Sequence, residues 1–318
     1  MADRTTNPDL GDSTDDGANI ASVLVVGAGT MGAGIAQVVA QSGFEVLLHD
    51  SHQPTLARAM AAIPEAWRRA MAKGRLDQAT VAAANARLAA APDLAVAVQV
   101  DLVIEAVIER EAVKNDLLTR LATLVRPETI LASNTSSISI TRLASLVPHP
   151  ERVVGLHFFN PVPVLPVVEV VRGLRTATAT MDRAAAFVRR LGKTPILVAD
   201  APGFVVNRLL IPMINEAIFV LAEGTAEAAA IDEVMKLGAA HPLGPLALAD
   251  LIGLDICLDI MRTLQRDLGD DKYRPAPLLQ RMVDAGLLGR KSGEGFHRYG
   301  DQSQSRKRDV VSPRQADG

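Results

Sequence analysis

The sequence predicts an α/β chain: a mostly parallel β-sheet domain followed by an all-helical C-terminal domain. Three observations carry that prediction. Short runs rich in valine, isoleucine and leucine alternate with longer stretches of helical periodicity over the first two thirds of the chain, the pattern of a parallel sheet whose crossovers are helices. A glycine-rich turn, Gly27-Ala28-Gly29-Thr30-Met31-Gly32, stands between the first such run and the first helical stretch. After Asp200-Ala201-Pro202-Gly203 the strand signal stops, and residues 204–285 keep only helical spacing of apolar side chains.

Each element follows from its residues. Ser22–Val26 is a valine-rich strand that closes on glycine, and residues 30–42 form a helix ended by Gly43. Residues 45–48 are a second strand, closing on His49-Asp50. One helical stretch then runs to about Lys73 and another covers 78–90. Pro64 lies inside the first, where its missing N–H and bulky ring are expected to kink or break the helix. Strands at 102–107 and 130–132 enclose a helix at 112–124. Strands at 153–159 and 164–171, a helix at 182–191 and a last strand at 195–198 complete the sheet domain. The expected organisation is a disordered tail at 1–18, the sheet domain at 19–200, the helical domain at 201–300 and a disordered tail at 301–318. The tails are polar and charged, with too little apolar surface to offset the entropy of ordering.

A length of 318 residues suits two cores rather than one. With 48% hydrophobic and 22% charged residues the chain reads as globular, and a formal net charge of −3 supplies no basic excess for a nucleic-acid partner. The single cysteine, Cys257, excludes an intrachain disulfide and a multi-cysteine zinc site. Its neighbours Leu254, Ile256, Leu258 and Ile260 make it a buried, inert thiol. The first residues carry neither a signal-peptide core nor an arginine-rich transit pattern, and no breaker-free apolar segment is long enough to span a bilayer. The expected location is the cytoplasm, with no membrane contact.

The glycine turn has the context that dinucleotide binding requires. Gly27 permits the tight turn, Gly29 lets a pyrophosphate approach the backbone, and Gly32 lets helix and strand pack closely. The helix that opens on the turn presents N–H donors and the positive end of its dipole to the phosphates. Asp50 ends the next strand, about 18 residues past Gly32, where an acid accepts bonds from a ribose 2′-hydroxyl and repels a 2′-phosphate. Gly27, Gly29, Thr30, Met31, Gly32 and Asp50 are therefore cofactor-binding candidates, and NAD is favoured over NADP. FAD is the rival for the same motif, which the later residues do not favour.

Residues 132–170 point to the reaction. Asn134 and Ser136 follow a buried strand, where loops line the ligand crevice of such sheets. His157 stands near the end of another strand with Phe158 and Phe159 beside it. Glu169 interrupts an apolar run, Val167-Val168-Glu169-Val170-Val171, where a lone carboxylate is costly unless paired. A histidine is the obvious partner.

These residues belong to the strings SNTSS, GLHFFNPVP, VEV, DAPGFVVNR, HPLGPLALADLIGLD and GLLGRKSGEGF, which occur in order between about Ala21 and Tyr299. In them the chain closely resembles the L-3-hydroxyacyl-CoA dehydrogenases of fatty-acid metabolism, especially the short-chain 3-hydroxybutyryl-CoA enzymes. The resemblance implies a Rossmann-like domain, a helical domain that makes a homodimer, and an acyl-CoA substrate in a cleft between the domains. It makes His157 the catalytic base and Glu169 its orienting partner. Ser136 would contact the reacting oxygen and the nicotinamide region, Asn207 would hold substrate, and Asn160 would shape the cofactor site. Glu109 and Lys114 would serve the cofactor, Glu105 and Ala106 would offer backbone contacts to it, and Lys73 matches a basic CoA-contacting position. Taken alone, Lys114 also reads as a solvated helix charge, and His49, His52, His149 and His297 as surface histidines.

The chain departs from the family pattern in three places. Pro166 precedes Glu169 and, lacking an N–H, predicts an edge position, a bulge or a reshaped strand. Ala66, beside Trp67 and after Pro64, replaces a polar CoA-binding residue. Ala247 replaces a larger polar one. Butyryl is the first choice of acyl group, with 3-hydroxyadipyl-CoA from aromatic-acid breakdown as the alternative. A different class, a non-catalytic NAD-binding protein, would have lost His157 or Glu169; both are present.

Overall fold

The computed structural model describes residues 20–299; both expected tails lie outside the described residues. The chain divides between Ala201 and Pro202 into two compact units.

The first unit contains β1 (Ser22–Val26), α1 (Thr30–Gln41), β2 (Glu45–His49), α2 (Gln53–Ala72), α3 (Gln78–Arg87), β3 (Leu88–Ala90), β4 (Leu102–Glu105), α4 (Glu111–Leu124), β5 (Ile130–Ser133), α5 (Ile140–Ala144), β6 (Val153–Phe158), β7 (Val167–Arg172), α6 (Thr178–Arg190) and β8 (Thr194–Ala199). Its eight strands form one sheet in the order β3-β2-β1-β4-β5-β6-β7-β8. All neighbouring pairs are parallel except β6 and β7. That exception is cheap in chain length, because β7 can return beside β6 without a helical crossover. The central strands are buried on both faces, as their runs rich in Val, Ile and Leu favour. The core of this unit packs α1, α2 and α6 against the sheet, with Ile35, Phe44, Trp67, Ile104 and Phe187 fully or almost fully buried.

Four local expectations change. α2 runs through Pro64 for 20 residues without a break. Leu56, Ala59, Ile63 and Trp67 share its buried face at helical spacing, and their burial offsets the ~3 kcal/mol that an interior proline typically costs. The expected helix at 78–90 stops at Arg87, and Leu88–Ala90 pairs with β2 as an edge strand instead. Pro166 neither bulges β7 nor places it at an edge. It stands one residue before the strand, where no ladder N–H is lost, and its carbonyl accepts from Thr194 N at 2.7 Å. His49 is not at the surface: it is 8% exposed and its Nδ1 bonds Ala91 O at 2.9 Å.

The second unit is helical: α7 (Val206–Ala222), α8 (Ala228–Gly238), α9 (Pro245–Ile252), α10 (Leu254–Leu268) and α11 (Pro277–Asp284). Ile211, Ile214, Ile218, Leu246, Leu258 and Met261 form its core. Asp232 on α8 accepts the first N–H groups of α9 from Leu246 and Ala247, so Ala247 lies in a capped helix start. Burial pushes the Cys257 thiol up to about 12, in keeping with an inert core cysteine. No helix among the described residues is long and apolar enough to cross a membrane, and no cluster there suits a metal.

Candidate active site

The C-terminal ends of β1, β4, β5 and β6, adjacent and parallel, bring the glycine turn, Glu105, the loop of Ser136 and His157 to one end of the sheet. This is the end at which open α/β sheets bind ligands. The glycine turn links β1 to α1. Gly27 has φ +104°, and a Cβ there would lie 2.5 Å from Ala106 O, so only glycine fits against the end of β4. A Cβ on Gly32 would meet Gly27 O at 1.7 Å, which is why the helix can start so close to the turn. Gly29 has nothing within 4 Å of such a Cβ and is exposed with Thr30, leaving open space at the start of α1.

That start suits an anion. Gly29 provides no side-chain cap, and the first turn of α1 carries no acid to compete for the N–H groups. Asp50 accepts from Ala28 N at 2.8 Å through one oxygen and from His52 N at 2.8 Å through the other. Its carboxylate is thus fixed against the glycine turn, where it retains lone pairs for ribose hydroxyls. The turn, the helix start and Asp50 fit a dinucleotide, and the acid fits NAD. Met31 packs against the core beneath.

Three strands along the sheet from β1, β6 pairs antiparallel with β7, placing His157 directly opposite Glu169. His157 is 6% exposed and Glu169 2%. His157 Nδ1 donates to Glu169 Oε2 at 2.7 Å, the tautomer assigned from the acceptor it faces. The Phe159 ring lies 4.4 Å from the imidazole. Asn134, after β5, accepts from Phe158 N at 2.9 Å and so ties the two strand ends together. Asn160, in a cis Asn160–Pro161 bond, is exposed beyond β6.

Ser136 lies in the loop after β5. Glu109 gathers that loop: its Oε1 accepts from Thr135 Oγ1 at 2.5 Å, Ser136 N at 2.9 Å and Ser137 N at 3.2 Å. Burial would raise the Glu109 carboxyl, but the Lys114 charge and these bonds hold it below its usual range. Lys114 is not a solvated helix charge. It is 1% exposed and pairs with Glu105 at 2.7 Å and Glu109 at 3.1 Å. Glu105 contributes more than backbone: its fully buried carboxylate also accepts from Ser133 Oγ at 2.6 Å and Val107 N at 2.8 Å. This network was missed from sequence, although the reasoning that flags Glu169 in VVEVV applies equally to Glu105 in LVIE.

Two candidates stand apart from this cluster. Lys73 is exposed at the C-terminal cap of α2. Asn207 is buried in the first turn of α7, in the second unit.

Comparison with known proteins covers both units of the chain. The family described as 3-hydroxyacyl-CoA dehydrogenase, NAD binding domain matches residues 22–201, and the family described as 3-hydroxyacyl-CoA dehydrogenase, C-terminal domain matches residues 203–299. A Deinococcus radiodurans protein named "Probable 3-hydroxybutyryl-CoA dehydrogenase" is 53% identical over 86% of this chain and 99% of its own length. A Bradyrhizobium diazoefficiens protein named 3-hydroxybutyryl-CoA dehydrogenase is 49% identical over 89% of this chain and 96% of its own. The crystal structure of an (S)-3-hydroxybutyryl-CoA dehydrogenase from Ralstonia eutropha is similar with a TM-score of 0.86 at 47% identity, covering 89% of this chain and all of that one.

Proposed function

The chain belongs to the 3-hydroxyacyl-CoA dehydrogenase family, NAD-dependent oxidoreductases acting on a CH–OH group, and from that premise we propose that it interconverts short (S)-3-hydroxyacyl-CoA and 3-oxoacyl-CoA thioesters, 3-hydroxybutyryl-CoA first, with His157 and Glu169 as its acid–base pair. The names of the relatives support the butyryl group. The observation that carries the acid–base reading is the 2.7 Å bond from His157 Nδ1 to Glu169 in a buried antiparallel pair.

The glycine turn and Asp50 would hold NAD, which would supply the hydride acceptor for carbon 3 of the alcohol. The chain handles the proton. Glu169 fixes the tautomer in which Nδ1 carries hydrogen, so Nε2 is the atom that accepts the proton of the 3-hydroxyl. The carboxylate then stabilises the imidazolium. In the reverse direction the same nitrogen returns the proton to the forming alcohol. Phe159 against the ring limits water around it. Ser136 and Asn207 are read as hydrogen-bond donors to the oxygen whose charge changes. Lys73 is read as a contact for CoA phosphate.

Steady-state oxidation of NADH and NADPH across 3-oxoacyl-CoA chain lengths tests this reading. The expected result is fastest turnover of acetoacetyl-CoA with NADH. A preference for 3-oxoadipyl-CoA would reassign the acyl group, and no turnover of any 3-oxoacyl-CoA would leave a non-catalytic NAD-binding protein. We also read the protein as a cytoplasmic homodimer. Leu209, Val234, Leu237 and Leu251 of the helical unit are more than half exposed in the single chain. Light scattering at micromolar concentration should report twice the chain mass; a monomer would remove the dimer.

A further inference from the structure

We propose that Glu105 and Lys114 are positioning residues that act through Glu109: they anchor its carboxylate from beneath, and Glu109 in turn holds the loop bearing Ser136. The turnover effect rests on the reading of Ser136 given above; the anchoring itself does not.

A lysine ammonium has three donors. Those of Lys114 are met by Glu105 Oε1 at 2.7 Å, Glu109 Oε2 at 3.1 Å and, at 3.5 Å, the Val107 carbonyl. With the side chain 1% exposed, Lys114 makes these contacts inside the protein. Glu105 is as fully engaged, by Lys114, Ser133 Oγ and Val107 N. Glu109 is the member that reaches the surface, with 37% of its side chain exposed. Its two oxygens are divided: Oε2 faces Lys114, and Oε1 faces Thr135, Ser136 and Ser137. The chain of contacts therefore runs from β4 and β5 through α4 to the loop after β5. Two carboxylates share one cation, so Glu109 stays an anion able to accept from two backbone amides. The nearby charges on the packed elements, Glu111 at the start of α4 and Arg142 on α5, pair with each other at 2.8 Å.

Three variants test the anchor. Lys114→Met leaves the buried Glu105 and the partly exposed Glu109 without their cation. Glu105→Gln with Lys114→Met removes the buried pair and leaves only Glu109, which reaches solvent, without the cation, a replacement that often preserves stability. Lys114→Arg keeps the charge. In cofactor-free protein, amide exchange at Ser136 and Ser137 should be faster by about tenfold in both methionine variants, corresponding to weakened acceptance by Glu109. The double variant should nevertheless melt near the wild-type temperature. The pH profile of kcat has a defined sign. Without the Lys114 charge, burial acts on Glu109 with less opposition and its carboxyl rises; activity is then lost at a higher pH as pH falls through the new value. Lys114→Arg should restore the wild-type acid limb. Should the double variant fail to fold, Glu105→Gln loosens Lys114 without removing its charge: exchange at Ser136 and Ser137 should still be faster, while the acid limb moves to lower rather than higher pH because Glu109 no longer shares the cation. Wild-type exchange at Ser136 and Ser137 together with an unmoved acid limb would overturn the proposal. A drop in NADH affinity with wild-type exchange would overturn it too, by making Lys114 a direct cofactor contact. Failure of the wild type to turn over any 3-oxoacyl-CoA would remove the functional reading while leaving the exchange result to decide the anchor.

Discussion

Glu169 and Glu105 occupy comparable places in one sheet, and their partners give them different work. Each is a carboxylate 2% exposed or less on a buried strand, and each meets a basic side chain at 2.7 Å. Glu169 faces a histidine, the side chain proposed above to take up and return the proton. Glu105 faces a lysine, whose donors meet Glu105, Glu109 and the Val107 carbonyl. The first pair lies across an antiparallel register that aims a ring. The second lies between a strand and a helix and pins a loop. Burial of a carboxylate thus signals a constructed site, and the partner's chemistry decides whether the site moves protons or holds position.

The comparison breaks if the two glutamates respond alike to loss of charge. Glu169→Gln should lower kcat about 10²-fold with little change in KM, within the range acid–base groups supply. Glu105→Gln should lower it by less than about tenfold, since it acts at one remove. Stopped-flow NADH oxidation with acetoacetyl-CoA measures both, and equal losses would erase the distinction. A smaller effect sharpens the cofactor side. Asp50→Ser should narrow the preference for NAD over NADP by about tenfold, the worth of roughly one charge-assisted hydrogen bond. Dissociation constants from fluorescence titration of NADH and NADPH would show it, and an unchanged ratio would take Asp50 out of ribose recognition.

Much of the fold was legible because period and composition are local. The valine-rich strands, the glycine turn, and the loss of strand signal after Asp200 each stand in the sequence, and the units divide at Ala201 and Pro202. What escaped depends on partners distant in sequence. Leu88–Ala90 has no β-branched residue and is a strand only because β2 offers an edge. α2 survives Pro64 because a buried face that includes Trp67 outweighs the local rule. His49 is covered because Ala91, after that same short strand, accepts its Nδ1. The site divides in the same way. The pairing of His157 with Glu169 could be read from the cost of a carboxylate among valines. The Glu105–Lys114–Glu109 chain required knowing that α4 packs its fourth residue against the end of β4.

The central claim is that His157 exchanges the proton. The measurement is single-turnover oxidation of NADH by His157→Ala with acetoacetyl-CoA, in protein shown by NADH titration to retain its cofactor site. The account predicts a rate at least about 10²-fold below wild type. A rate within about threefold of wild type would contradict it and place the acid–base group elsewhere.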